Sequence, residues 1–245
     1  MQMKLLVYFY ISALLALNLV AEKVYKIPKL KSSKIQSWDS AGWKKIRALK
    51  VNCFLLRHSK FKPKTEVKIF RSKGKIHVLF KVDDQYVIAK ARKHFDEVFF
   101  DSAVEMFFSI STPGKKGACR YFNFEFNCTG KAVARLNNID IYGNRKVIKN
   151  FSLDDIKKLN IKTSLKPGFI DKEITDKLIW YVYFELPEEL LRKYVPEVKF
   201  KHGIIWYANF YKCAVRNSHP HYAAWNKIAK VNFHCPEYFG KLIFE

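Results

Sequence analysis

The chain lacks any Cys-x-x-Cys spacing among its five cysteines, which removes the usual signature of a zinc ribbon or a dithiol redox centre. Glycine and proline are scarce, nine and eight in 245 residues, so no stretch has the composition of a long flexible or proline-stiffened linker. No five basic residues stand in succession and no basic heptad recurs, which leaves a polycationic tail or a basic zipper without support. Acidic residues are also few: 22 Asp and Glu face 45 Lys and Arg, for a formal net charge of +23. Such an excess fits nucleic acid, acidic polysaccharide or an anionic membrane surface as partner. The lysines are scattered, however, with Lys44-Lys45, Lys115-Lys116 and Lys157-Lys158 reading as solvated faces, and no nucleic-acid-binding motif accompanies them. The charge is therefore read as a hint of an acidic ligand, and nucleic acid is not expected as a partner.

What the sequence does contain is apolar and aromatic material, 49% and 16% of its residues, which argues against disorder. A chain of this length can bury one good core, and a single domain is expected over residues 43–245. Residues 1–21 read as an export signal, with Lys4 in a short leading region, an apolar run from Leu5 to Leu17, and small Ala21 before the cleavage point. A membrane anchor is the competing reading, but Ser12 and Asn18 interrupt the run, and no membrane span is expected after cleavage. Export implies a periplasmic or secreted protein, here expected to be a monomer. Cys53, Cys119, Cys128, Cys213 and Cys235 would then meet an oxidising compartment, and at least one must stay unpaired within the chain. Single buried thiols are expected for most, because a core this large needs no covalent staples. Residues 22–42 show little periodicity and read as an irregular lead-in, with Trp38 and Trp43 pinning it to the domain.

Beyond the lead-in the pattern is that of strands. Residues 66–71, 75–82 and 104–109 are short, rich in β-branched and aromatic types, and bounded by turn residues such as Ser72-Lys73-Gly74. In the run 121–127 alternation puts Phe122, Phe124 and Phe126 on one face and Tyr121, Asn123, Glu125 and Asn127 on the other. One face is dry, and the other offers donors and acceptors suited to a polyhydroxylated ligand. Ser152 is expected to cap a short helix, residues 180–186 alternate again, Pro187 fits the first turn of a second helix, and residues 204–213 and 241–244 close the set of strands. Many short strands, few helices and no strand–helix–strand rhythm predict an all-β fold, a β-sandwich of jelly-roll type, with a closed barrel as the alternative.

Four stretches combine polar groups with aromatics: Phe99 to Phe108, with Asp101 and Glu105; the run from Tyr121 with Glu125; Tyr207 to Cys213, where Tyr207, Asn209 and Tyr211 share a face; and His219 to Trp225, read as a loop ending in a free-standing ring. A sugar offers an apolar C–H face and a rim of hydroxyls, and so calls for a flat aromatic with fixed polar groups at its edge.

The strings Asp101-Ser102 to Phe108, Tyr121 to Asn127 with Gly130, Asn209-Phe210-Tyr211-Lys212-Cys213, Pro220-His221-Tyr222 with Trp225, and Phe233 to Gly240 resemble, together and in this order, the family 9 carbohydrate-binding modules. The branch they look most like is that of free-standing exported proteins of Bacteroidetes, and the likeness runs from about Trp43 to Phe244. The resemblance implies a DOMON-like β-sandwich that holds saccharide between two aromatic side chains and serves polysaccharide breakdown without chemistry of its own. By position it implies Trp225 as one aromatic wall, Phe99 or Phe100 in place of the tryptophan expected before the acidic pair, and Glu105, Glu125, Asn209 and Tyr211 as polar contacts. Glu125 stands where a characterised module carries arginine.

Two other classes compete. A glycoside hydrolase would use Glu105 with Glu125 or Asp101 as its carboxyl pair, and nothing in the sequence fixes their separation. A transition-metal site would draw on His219, His221, His234, Cys213 and Cys235, which have no diagnostic spacing. No cofactor is expected beyond structural calcium, for which the resemblance leaves Asp83, Asp84 or Asp101 as ligands.

Overall fold

A computed structural model describes residues 23–31, 38–55 and 60–245. The expected export signal over residues 1–21 lies outside them. No helix among the described residues is long and apolar enough to cross a membrane.

The described chain runs through β1 (Val24–Ile27), a single helical turn α1 (Ala41–Lys44), and the short strands β2 (Leu49–Lys50) and β3 (Cys53–Phe54). The hairpin β4 (Lys64–Ser72) and β5 (Lys75–Asp84) follows, then β6 (Val87–Ala89), β7 (Ala103–Ser109), β8 (Cys119–Asn127), β9 (Ala132–Ile139) and β10 (Arg145–Asn150). Helix α2 (Leu153–Lys158) leads to β11 (Lys162–Thr163), β12 (Ile170–Ile174) and β13 (Leu178–Pro187). Helix α3 (Glu188–Arg192), β14 (Ile205–Ala214), β15 (His221–Ala224) and β16 (Gly240–Phe244) complete the chain. Ser152 caps α2 as expected, accepting from the Asp155 amide while the Asp155 carboxylate bonds back to Ser152.

The strands form a β-sandwich. One sheet has nine strands, ordered β1-β16-β14-β7-β8-β9-β10 with β15 and β3 attached at β14, and the other has five, ordered β11-β13-β5-β4-β2. Alternation on each strand fills the space between them: Val104, Met106, Phe108, Phe122, Phe124 and Phe126 meet Ile69, Val78, Phe80, Trp180, Val182 and Phe184 in one buried cluster. Phe126 stacks on Phe184 across the two layers at 4.3 Å between ring centres. Burying rings of this size provides the largest favourable contribution to the fold.

Both outer faces are covered as well. Trp38 and Trp43 pack over Phe70, Leu79 and Tyr183 behind the five-stranded sheet, which is the pinning role expected of them. Over the nine-stranded sheet, residues 226–239 form a roof whose Ile228 and Phe239 pack on Phe107, Tyr121 and Tyr211. The wet face expected of the run 121–127 is therefore mostly dry, with Tyr121, Asn123 and Asn127 fully buried.

Two local expectations are corrected. The lead-in is not wholly irregular, since β1 pairs in parallel with β16, its Tyr25 and Ile27 entering the core. The stretch His219 to Trp225 is not a loop, because residues 221–224 pair with β14. That pairing decides the fate of Trp225. Alternation along β15 turns Tyr222 and Ala224 to the roof side and Ala223 and Trp225 to the core. Trp225 is 4% exposed, lies edge-on to Phe210, and covers Gly240 so closely that a Cβ there would stand 2.8 Å from its ring. It is a core residue rather than a platform. Trp225→Ala is expected to destabilise the protein by about 3–5 kcal/mol, as truncations of buried rings do. Urea unfolding checks this, and an unmoved midpoint would show the ring to be dispensable to the core.

Candidate functional site

The roof leaves open, above the nine-stranded sheet, a hollow of about 340 Å³. Glu105, Phe107, Glu125 and Cys213 line it from the three central strands, Arg135 and Arg145 from β9 and β10, and Tyr222 from β15. Phe99 stands on the short helical turn Val98–Phe100 before β7, and Val231 to His234 come from the roof. The rings of Phe99, Tyr222 and Phe233 are all at least partly exposed there, Phe99 by 38%.

Register explains why these groups meet. Glu105 is directly opposite Glu125 on one side and Tyr211 on the other, and Cys213 is opposite Tyr222. Arg135 lies opposite Asn123, so it shares the face of the polar residues of β8. The two carboxyl groups are nearly sealed, at 2% and 4% exposed. Burial, and then the neighbouring Glu125, push the Glu105 carboxyl well above the usual range, only partly countered by the Cys213 thiol that donates to its Oε1 at 3.2 Å. Burial also raises Glu125, against the Asn123 amide donating at 2.6 Å and the charges of Arg135 and Arg145. His234 is driven down to about 3 by burial and the same two arginines, which leaves it neutral. The floor is thus a carboxyl pair that keeps protons readily, beside two fixed cations.

Of the residues expected to bind ligand, the structure brings Phe99, Glu105 and Glu125 into the hollow. Phe100 does not line it and instead sits half-buried beneath the Arg216 guanidinium, 4.8 Å from the ring centre. Asn209 and Tyr211 hold the roof. Asn209 accepts from the Asn226 amide and donates to the Asn226 carbonyl, while the Tyr211 hydroxyl donates to the Phe233 carbonyl and its ring stacks on Phe233 at 4.0 Å. Their polar atoms are already satisfied and fully buried, which leaves none to offer a ligand. Tyr222, Phe233, His234, Asn232, Arg135 and Arg145 were missed. Tyr222, Phe233 and His234 stand within strings that carry the family likeness, and parity turns Tyr222, not Trp225, towards the hollow.

The alternative carboxyls are engaged elsewhere. Asp101 accepts from the Lys90 and Ala91 amides and the Asn127 side chain, and Asp84 accepts from the Trp180 indole and faces Lys212 at 3.4 Å. No group of three or more potential metal-ligating side chains stands together among the described residues. All five cysteines are free thiols.

With the sandwich and the hollow described, the class is clear, a β-sandwich with a single-sided cleft beneath a loop roof. The model of carbohydrate-binding family 9 matches residues 39–244, and the chain belongs to that family. Among solved structures, a Bacteroides uniformis protein for which carbohydrate binding is inferred is 24% identical, with TM-score 0.76, over 92% of this chain and 100% of that one. A family 9 module from Caldicellulosiruptor kristjanssonii solved with glucose is 12% identical, with TM-score 0.55, over 91% of this chain and 96% of that one. The module from the same organism solved with cellotriose gives 12% and 0.57, over 91% and 94%. These likenesses concern the fold. No curated protein matches the chain in sequence.

The buried carboxyl pair has a consequence for stability. Folded Glu105 keeps its proton to higher pH than the unfolded chain does, so its favourable contribution is complete below its ordinary value of 4.5 and declines as pH rises towards the folded pKa. Glu105→Gln keeps the neutral shape at every pH. Its stability relative to wild type should therefore increase as pH is raised above about 4.5, which denaturation at a series of pH values measures. A difference independent of pH would mean that Glu105 ionises as freely in the fold as outside it.

Proposed function

We propose that the protein binds saccharide, without covalent chemistry, in the hollow beneath the 226–239 roof. The observation that carries this is the juxtaposition of partly exposed rings, Phe99, Tyr222 and Phe233, with hydrogen-bonding groups fixed on rigid central strands, Glu105 and Glu125. Rings supply a surface for the C–H face of a sugar, and the carboxyls accept from or donate to its hydroxyls. Family membership supports the same reading, as do the glucose and cellotriose bound by the Caldicellulosiruptor modules of like fold. The apolar segment 1–21 supports export to where polysaccharide is degraded, with the protein holding glycan beside the enzymes that cut it.

The hydrolase alternative rests on Glu105 and Glu125 as acid and base. The pair is directly opposed on neighbouring strands, so both carboxyls rise from one floor and approach a sugar from the same side. Glycosidic cleavage needs them to flank the scissile bond. Side-by-side carboxyls in a sealed floor suit the sharing of a proton and the holding of a hydroxyl better than displacement at carbon.

Glycan-array binding of the protein tests the proposal. Phe99→Ala, a change at a half-exposed ring, is expected to weaken saccharide binding by about tenfold while leaving thermal stability unchanged. An array without signal would defeat the proposal, as would release of sugar products that disappears in Glu105→Gln.

A further inference from the structure

Arg135 and Arg145 enter the hollow from adjacent strands, yet neither has a carboxylate within 4.0 Å among the described residues. Arg92 and Arg120 each have one, and Arg216 has two. The two in the hollow are instead steadied by amides: Arg135 Nε donates to Asn150 Oδ1 at 3.1 Å, and Arg145 Nη1 donates to Asn137 Oδ1 at 3.2 Å. Those bonds orient the guanidinium groups and leave most of their N–H donors unused. The acids on the floor offset this charge only in part, because burial holds protons on the Glu105 and Glu125 pair. His234, held neutral first by burial and then by these same two arginines, adds no charge to the hollow.

Arg145, Asn232 and His234 also line a second hollow of about 600 Å³, where Lys116 and Lys230 stand with exposed Tyr142. Glu237 also lies there and approaches Lys230 at 3.9 Å, which leaves the second hollow with a net positive charge.

Resting on the saccharide reading of the first hollow, we infer that the ligand is an acidic saccharide whose carboxylate or sulfate sits against Arg135 and Arg145, with the next sugar unit extending into the second hollow. A guanidinium presents paired donors that match two oxygens of a carboxylate or sulfate, which gives geometric selectivity as well as charge. Lys116 and Lys230 add attraction over a longer range that salt screens. The chain's +23 charge alone would attract any polyanion, whereas the two arginines beside sugar-binding rings select an anion carried on a saccharide.

The test is an array of matched pairs, in which each uronate oligosaccharide stands beside its methyl ester and each sulfated one beside its desulfated form. The acidic member of at least one pair is expected to bind about tenfold more tightly than its neutral twin, as befits one charge-assisted, bidentate contact. Uronate pairs and sulfate pairs report separately which anion is preferred. Arg135→Gln combined with Arg145→Gln should bring the ratio within that pair close to one. Arg145→Lys, which keeps the charge but not the fork, should lose part of it. Both side chains are at least partly exposed, and a thermal melt confirms that the variants fold. Neutral twins binding as well as acidic ones would overturn this inference and leave the saccharide reading standing. Silence across all pairs would overturn both.

Discussion

The central strands of the nine-stranded sheet are buried on both faces, and most features of the molecule answer to that constraint. A sheet with one wet face could leave Asn123, Glu125, Asn209 and Tyr211 to water. Here the 226–239 roof removes the water, so each polar group needs a partner or a proton. Asn209 and Tyr211 find theirs in the backbone of the roof itself. Glu105 and Glu125, face to face with no cation in direct contact, cannot both be satisfied as anions. The opening in the roof lies above that pair. The site is the place where the covering of the sheet is incomplete.

Alternation made much of this legible in the sequence. The assignment of Phe122, Phe124 and Phe126 to one face of their strand, and of Trp180, Val182 and Phe184 to one face of theirs, needs only a period of two, and both sets are in the core. Glu105 and Glu125 were placed on the opposite face by the same argument, and they are in the hollow. What alternation could not supply was the roof. Its Ile228, Phe233 and Phe239 have no strand periodicity, and nothing local tells that they lie over β7, β8 and β14. Without the roof, Asn209 and Tyr211 look like ligand contacts, because a free polar group and one already hydrogen-bonded to a loop have the same sequence.

Trp225 shows a different kind of error. A large ring in a stretch rich in His, Pro and Tyr suggests a platform, but the short strand from His221 to Ala224 fixes its direction. Once Cys213 is paired with Tyr222, the ring two residues beyond Ala223 has to enter the core, and Gly240 provides the space by having no side chain. The ring that faces the hollow is that of Tyr222, three residues earlier and of opposite parity. Register across strands carried that information, and register is invisible in one sequence.

The division of labour around the hollow then follows from rigidity. Glu105 sits on β7, between β8 and β14, and cannot shift without disturbing two ladders of backbone hydrogen bonds. Its position and that of Glu125 are fixed by the fold, and any β-sandwich of this topology could keep them. The lining groups outside those central strands are Phe99 on its helical turn, Asn232 and Phe233 in the roof, and Arg135 and Arg145 on the strands towards the sheet edge. Phe99, Arg145 and Asn232 are also among the lining side chains most open to water, where a substitution disturbs the fold least.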